Sequence, residues 1–374
     1  MRDTLKNKKR IVVKVGSSVL VDGDGRLSSK RCRTLVSEVA EVCKKGVQVV
    51  IVSSGAIAAG MDRLGIEKKP HWIPLKQAIA AAGQTALMHE YEKAFVKHGL
   101  KVAQILLTRE DLSNRQRFLN IRHTLYELLK MKIVPIINEN DTVSVHEIKV
   151  GDNDNLSALV TNVAEADLLI NLSDIDGVYE ADPQVNPTAK RLPLIEQIDP
   201  LLKSRASDSL RAGGTGGMAT KLEAAEKAQR FGVTTIIANG GEKNVIQRIL
   251  AGEELGTLIL PKGGRDRLTA KKYWLAYSLH PVGSIVVDEG AKRVLIEQGK
   301  SLLPSGVKSY EGEFHQGDPI DLKVAGEKPF ARGLTSYSSA ELDKIKGRKT
   351  SEIEALLGYK YFDEVIHRND LVLL

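Results

Sequence analysis

The sequence predicts an α/β fold, a three-layer αβα sandwich around a mainly parallel sheet, followed by a small all-β barrel. Three observations predict it. From Arg10 to about Leu260, short runs of Val, Ile and Leu alternate with longer helix-like stretches. After Pro261 the apolar runs become brief and are broken by Gly, Pro, Asp and Asn. Aromatic residues are only 5% of the 374, against 42% hydrophobic overall, which suits aliphatic helices packed on a sheet.

The runs of the first region are IVVKV (11–15), VQVVIV (47–52), VAQILL (102–107), IVPII (133–137), ADLLINL (166–172), VTTIIA (233–238) and GTLIL (256–260). Near-continuous apolar runs of this length mark strands covered on both faces, as in a parallel sheet. Helices are expected over 29–45, 75–98, 115–131, 154–165 and 220–231. These elements define a first domain at 1–262. The polar, basic stretch KGGRDRLTAKKYW begins a linker at 263–279. Residues 280–374 form the second domain, with GSIVVDEGAKRVLIEQG, QGDPIDL, ARGL and EVIHRNDLVLL as strand-like segments and one helix near 351–357.

Composition excludes several classes. Cys32 and Cys43 are the sole cysteines, too few for a disulfide scaffold or a four-cysteine zinc site, and two reduced thiols fit a cytoplasmic chain. No apolar run reaches the roughly 18 residues of a membrane span. The start, KNKKRIVVKVGSSVL, imitates a signal peptide, but Lys14 interrupts its apolar stretch and a first strand is the better reading. The histidines show no H-x-H or H-E-x-x-H spacing and there is no G-x-S-x-G elbow, so zinc and triad hydrolase chemistry lack support. The net charge of +7 lies wholly within residues 1–265, whereas 266–374 balance to zero. A diffuse excess of that size fits a small anionic substrate as well as nucleic acid.

In an open parallel sheet, ligands bind beyond the C-terminal strand ends. The first strand runs into Lys14-Val15-Gly16-Ser17-Ser18 and the second into Ser53-Ser54-Gly55-Ala56. The fourth runs into Asn138-Glu139-Asn140-Asp141, the fifth into Ser173-Asp174-Ile175-Asp176-Gly177. Any one such loop is equally well a turn or an N-cap; together on one sheet edge they point to a site. Gly-Ser-Ser after a strand offers backbone N–H groups to a phosphate. Lys14 stands inside an apolar strand, where a lysine is costly unless it meets an anion or snorkels outward. Gly213-Gly214-Thr215-Gly216-Gly217-Met218-Ala219-Thr220-Lys221 lets the backbone approach an oligophosphate, or is a flexible loop. Its lysine spacing is not that of a P-loop, and no strand precedes it as a dinucleotide fingerprint requires. Gly151-Asp152-Asn153-Asp154-Asn155 opens an apolar helix, as N-cap or as amides and a carboxylate for a site.

KVGSSVL, SSGAIAAG, NENDTV, GDNDNLSALV and GTGGMATK, in this order, resemble the amino acid kinase family, and within it the branch acting on L-glutamate. The C-terminal part looks like a PUA domain, a fold named from RNA-modifying enzymes. The resemblance covers nearly the whole chain. It implies the amino acid kinase fold and ATP-dependent phosphorylation of the side-chain carboxylate of L-glutamate, the first step of proline biosynthesis. It also implies Mg2+, a homo-oligomer (dimer or tetramer) and feedback inhibition by proline. By resemblance Lys14 and the Gly16 backbone contact nucleotide phosphates, and Ser173 and Asp174 contact the nucleotide. Thr215, Gly216, Gly217, Met218, Ala219, Thr220 and Lys221 form the phosphate loop. Asp154 orients Lys14 and Lys221; Ser54, Asp141 and Asn153 bind glutamate. No residue is assigned to the metal.

The chemistry agrees. The acceptor carboxylate, with a solution pKa near 4.3, is already an ionised nucleophile and needs no general base. The difficulty is bringing an anion to a triphosphate, which calls for positive charge and alignment. Asp141 suits the substrate ammonium, and Asn153 with the Ser54 loop is expected to donate hydrogen bonds. Rival readings are another kinase of this fold, acting on a nucleoside monophosphate, carbamate, aspartate or acetylglutamate, and an RNA binder using Lys344, Lys346, Arg348 and Lys349. The neutral balance of 266–374 gives the RNA reading no support.

Overall fold

A computed structural model describes every residue except 69, 144–152, 184, 204–216 and 262–278. The chain divides into one unit within Met1–Arg267 and another within Leu268–Leu374. The expected linker, 263–279, falls almost wholly outside the described residues.

The first unit contains strands β1 (Arg10–Val15), β2 (Gln48–Ser53), β3 (Lys101–Leu107), β4 (Ile133–Glu139), β5 (Leu168–Ser173), β6 (Leu194–Ile195), β7 (Thr234–Asn239) and β8 (Thr257–Ile259). They form an eight-stranded sheet in the order β3-β4-β2-β1-β5-β7-β8-β6. All pairings are parallel except β7 with β8. The expected α/β sandwich is therefore present, and each apolar run became a strand. The two-residue β6 was not foreseen, because so short a strand leaves no pattern to detect.

Alternation along each strand divides the side chains between two cores. Ile11, Val13 and Val15 of β1 enter one core, with Leu168, Ile170 and Leu172 of β5. Helices α1 (Ser17–Leu20), α2 (Ser29–Lys44), α3 (Ala56–Leu64) and α4 (Ile73–Val96) cover that face. Val12 and Leu169 enter the other core. There they meet α6 (Arg115–Lys130), which follows the short α5 (Arg109–Ser113), and then α7 (Asn153–Val163) and α8 (Met218–Arg230). A short α9 (Val245–Leu250) returns to the first face. Local signals start the helices: Ser28 caps α2, Thr108 forms a capping box on α5 and Asn114 caps α6.

The second unit has a five-stranded sheet of β9 (Gly283–Val287), β10 (Val307–Glu311), β11 (Pro319–Lys323), β12 (Ala331–Leu334) and β13 (Leu371–Leu373), ordered β10-β9-β11-β12-β13. Only β9 with β11 is parallel. The segment read as a continuous strand-like run from Gly283 divides: after β9 it becomes helix α10 (Glu289–Gln298). Asp288 accepts a hydrogen bond from the Ala291 N–H and Gly299 ends the helix at φ +57°, while Ala291 and Leu295 share one buried face at helical spacing. Helix α11 (Ser339–Ile345) was likewise unforeseen, and the expected helix near 351–357 is a 3-10 turn at Thr350–Glu352 followed by α12 (Ile353–Leu357).

Candidate active site

Alternation on β1 places Lys14 on the same face as Val12, the face covered by α7 and α8. Those helices supply its partners. Lys14 Nζ lies 2.6 Å from Asp154 Oδ1, at the start of α7, and Lys221 Nζ of α8 lies 3.5 Å from Asp154 Oδ2. Thr220 Oγ1 donates to Asp154 Oδ2 at 2.7 Å, and Asn171 Nδ2 of β5 donates to Oδ1 at 3.0 Å. Lys14, Lys221 and Asp154 are 5, 6 and 2% exposed.

One carboxylate between two ammonium groups leaves a cationic excess in a dry place. Burial pushes the Lys14 pKa down and Lys221 pushes it the same way, against the pull of Asp154. Burial would raise the Asp154 pKa, but Lys14 and Lys221, with hydrogen bonds from Lys14 and Thr220, hold it at about 2. Asp154 is therefore an anchor that stays ionised between two buried ammonium groups. Gly16 follows directly: a Cβ there would stand 3.3 Å from the Leu172 carbonyl oxygen and 3.7 Å from Lys14 Nζ, so glycine keeps the approach to the ammonium open.

The opposite face of the sheet supplies a second polar group. Asn153 Nδ2 donates to Ser54 Oγ at 3.0 Å, to the Ser53 carbonyl at 3.3 Å and to Asn138 Oδ1 at 3.0 Å. Asn138 Nδ2 donates in turn to Gln84 Oε1 of α4 at 2.7 Å. Ser53 Oγ is hydrogen-bonded to Tyr91, also on α4, at 2.9 Å. The N–H groups of Asn153, expected to donate to a ligand, point at protein acceptors, and its Oδ1 is a buried atom without a hydrogen-bond partner among the described residues.

The structure thus brings Lys14, Gly16, Asp154, Thr220 and Lys221 together, and joins Ser54 to Asn153. Asp141 lies half-buried in the turn after β4, whose Thr142 carbonyl accepts from Gln77 of α4. Ser173 closes β5 and its hydroxyl donates to the exposed Asp174 at 3.0 Å; Asp174 also acts electrostatically on Lys14. Gly217, Met218 and Ala219 lead into α8, whereas Thr215 and Gly216 lie outside the described residues. Thr220 holds Asp154, so its hydroxyl is committed to the protein. Sequence reading missed Asn171, Asn138 and Gln84. A signal existed for the first: a lone amide in the apolar run ADLLINL is as anomalous as Lys14 in IVVKV. Asn138 was visible only as a strand-end residue, and Gln84 had no signal within its alanine-rich helix. Among the described residues, no group of three or more His, Cys, Asp and Glu side chains is placed to hold a metal, and no helix is long and apolar enough to cross a membrane.

Comparison with known proteins gives two family matches, the amino acid kinase family over residues 9–239 and the PUA domain over 283–357. The glutamate 5-kinase of Pelobacter propionicus is 53% identical over 373 residues, and that of Geobacter sulfurreducens 53% over 375, each alignment spanning 100% of both chains. Among solved structures, a UMP kinase from Bacillus anthracis matches 68% of this chain and 96% of its own at 19% identity, with a TM-score of 0.45.

Proposed function

The chain belongs to the amino acid kinase family, and from that premise we propose that it transfers the γ-phosphoryl group of ATP to the side-chain carboxylate of L-glutamate, giving L-glutamyl 5-phosphate for proline biosynthesis. The observation that carries this reading is the buried Lys14–Asp154–Lys221 cluster. Two buried ammonium groups held side by side suit an anion attacking a triphosphate, where two negative groups must be brought together.

The acceptor carboxylate attacks as the ionised form, so no proton is removed and no base is needed. Lys14 and Lys221 hold the transferring phosphoryl and stabilise the charge that spreads over its oxygens. Asp154, with Asn171 and Thr220 behind it, keeps the two ammonium groups from moving apart. The Gly217 backbone adds an N–H donor, whereas the Gly16 N–H expected to do so is committed to the Leu172 carbonyl at 3.0 Å, and Ser173 and Asp174 face the nucleotide. Ser54, Asp141 and Asn153 hold glutamate. A magnesium ion would be held chiefly by the nucleotide phosphates, with the exposed carboxylate of Asp174, at the end of β5, as a candidate protein ligand. When bound, Mg2+ neutralises triphosphate charge.

Proline carries the same ammonium-type and carboxylate groups on one carbon as glutamate does, which supports inhibition at the same acceptor subsite. A cytoplasmic homo-oligomer completes the reading; the apolar Trp72 and Leu75 exposed at the start of α4 are in keeping with assembly. The test is ADP formation with glutamate, aspartate, acetylglutamate, carbamate and UMP as acceptors, with and without proline. Glutamate-dependent turnover reduced by proline is expected. Turnover with another acceptor in place of glutamate sinks the assignment.

A further inference from the structure

Taking glutamate as the acceptor, we propose that Gln84 is a positioning residue: by accepting from Asn138 Nδ2 it holds that amide, whose polarity a backbone N–H fixes, in the place that keeps Asn153 Oδ1 toward the substrate, and so tunes recognition of the α-ammonium group. The backbone N–H of Glu139 donates to Asn138 Oδ1 at 2.9 Å. A backbone N–H can only donate, so that side of the Asn138 amide is the oxygen, and Nδ2 must face the other way. There it meets Gln84 Oε1 at 2.7 Å.

Asn138 Oδ1 also accepts from Asn153 Nδ2 at 3.0 Å. The polarity is thereby passed on: the N–H groups of Asn153 turn to protein acceptors and its Oδ1 is left buried and unpartnered among the described residues. Beside it, Ser54 Oγ accepts from Asn153 Nδ2 and keeps its own O–H to donate. The pair thus offers an acceptor for an ammonium next to a donor for a carboxylate. That is the pattern carried by the α-carbon of an amino acid.

Gln84 itself is 8% exposed, and its Nε2 has no hydrogen-bond partner among the described residues. A buried amide retained only for packing would satisfy both ends or be replaced by an apolar side chain. Reversing it would set its NH2 against that of Asn138. Its helix lies hard against α3, where a Cβ at the neighbouring Gly83 would stand 1.8 Å from the Ala56 carbonyl.

The test compares wild type, Q84L and Q84E with L-glutamate and with glutarate, which lacks the ammonium group, alongside the KM for ATP and thermal unfolding. Q84L removes the acceptor at similar volume. It should raise the KM for glutamate about tenfold, leave the KM for ATP unchanged, and shrink the glutamate-over-glutarate ratio of kcat/KM about tenfold, the worth of one buried hydrogen bond. Q84E still accepts from Asn138 and should restore that ratio. Equal losses on both acids in Q84L, or a change confined to Tm, would overturn the role, as would a Q84E that behaves like Q84L. Should Q84L not fold, Q84E decides alone: a retained ratio supports the proposal and a collapsed one overturns it. A wild type inactive on glutamate removes the acceptor reading and this role with it, whereas an active wild type with an unmoved ratio in Q84L removes only the role of Gln84.

Discussion

Lys14 is expensive to fold, and the proposed phosphoryl transfer is what would make it worth keeping. It sits in the sheet centre, and burial and Lys221 both act against its charge. Lys14→Met should abolish turnover, by about 10²–10³-fold or more, the scale of losing a preorganised group facing developing charge. Folding should persist, since Asp154 keeps Lys221, Thr220 and Asn171; a collapsed Tm would contradict this. Asp154→Asn is the harsher change, because it strands two buried ammonium groups, and should cost about 3–5 kcal/mol in denaturant unfolding. The pH dependence has a definite sign. The Asp154 pKa falls from 3.8 to about 2 on folding, so its contribution is present above the unfolded value and is lost as the pH drops through about 2. The stability gap between wild type and Asp154→Asn should therefore narrow on acidification below about pH 4. For the acceptor side, Asp141→Ala should raise the KM for glutamate far more than that for ATP; equal rises would remove Asp141 from the ammonium subsite.

At the scale of elements, the site depends on how closely α3 and α4 approach. A Cβ on Gly60 would lie 1.9 Å from the Ile79 carbonyl oxygen, and one on Gly83 1.8 Å from that of Ala56. Backbone cannot yield as a flexible side chain can, so Gly60→Ala or Gly83→Ala must part the helices. Each should destabilise by about 1–3 kcal/mol or more. Because α3 opens directly after Ser54 and α4 carries Gln84 and Tyr91, the same substitutions should raise the KM for glutamate before that for ATP. Unchanged stability in both variants would show that the packing relaxes at no cost. The strands were legible because apolar runs covered on both faces leave a continuous signal. Helix α10 was not, because VLIEQ carries β-branched residues and only the Asp288 cap and Gly299 stop distinguish it from a strand.

At the scale of the whole molecule, each unit has its own hydrophobic core, and every described residue of the candidate site belongs to the first. A chain ending near residue 267 should therefore fold and retain glutamate-dependent ADP formation, checked by circular dichroism and the same acceptor assay. Loss of turnover in a folded truncation would show that the second unit contributes to the reaction. The charge balance points the same way: the basic excess lies with the unit that handles anionic substrates, and residues 266–374 are neutral overall.

The sequence by itself determined the layered α/β architecture and singled out Lys14, Asp154 and Lys221 as candidates at the strand ends, because burial leaves local marks: an apolar period, a glycine run, a lysine where none is cheap. Only the tertiary structure decided which groups face one another. Asn171, Asn138 and Gln84 come from strands and a helix far apart in the chain; the polarity of the Asn138 and Gln84 amides follows from a single backbone N–H, and that of Asn171 from the Asp154 carboxylate. A hydrogen bond's direction is a property of two atoms in space, and no spacing along the chain records it.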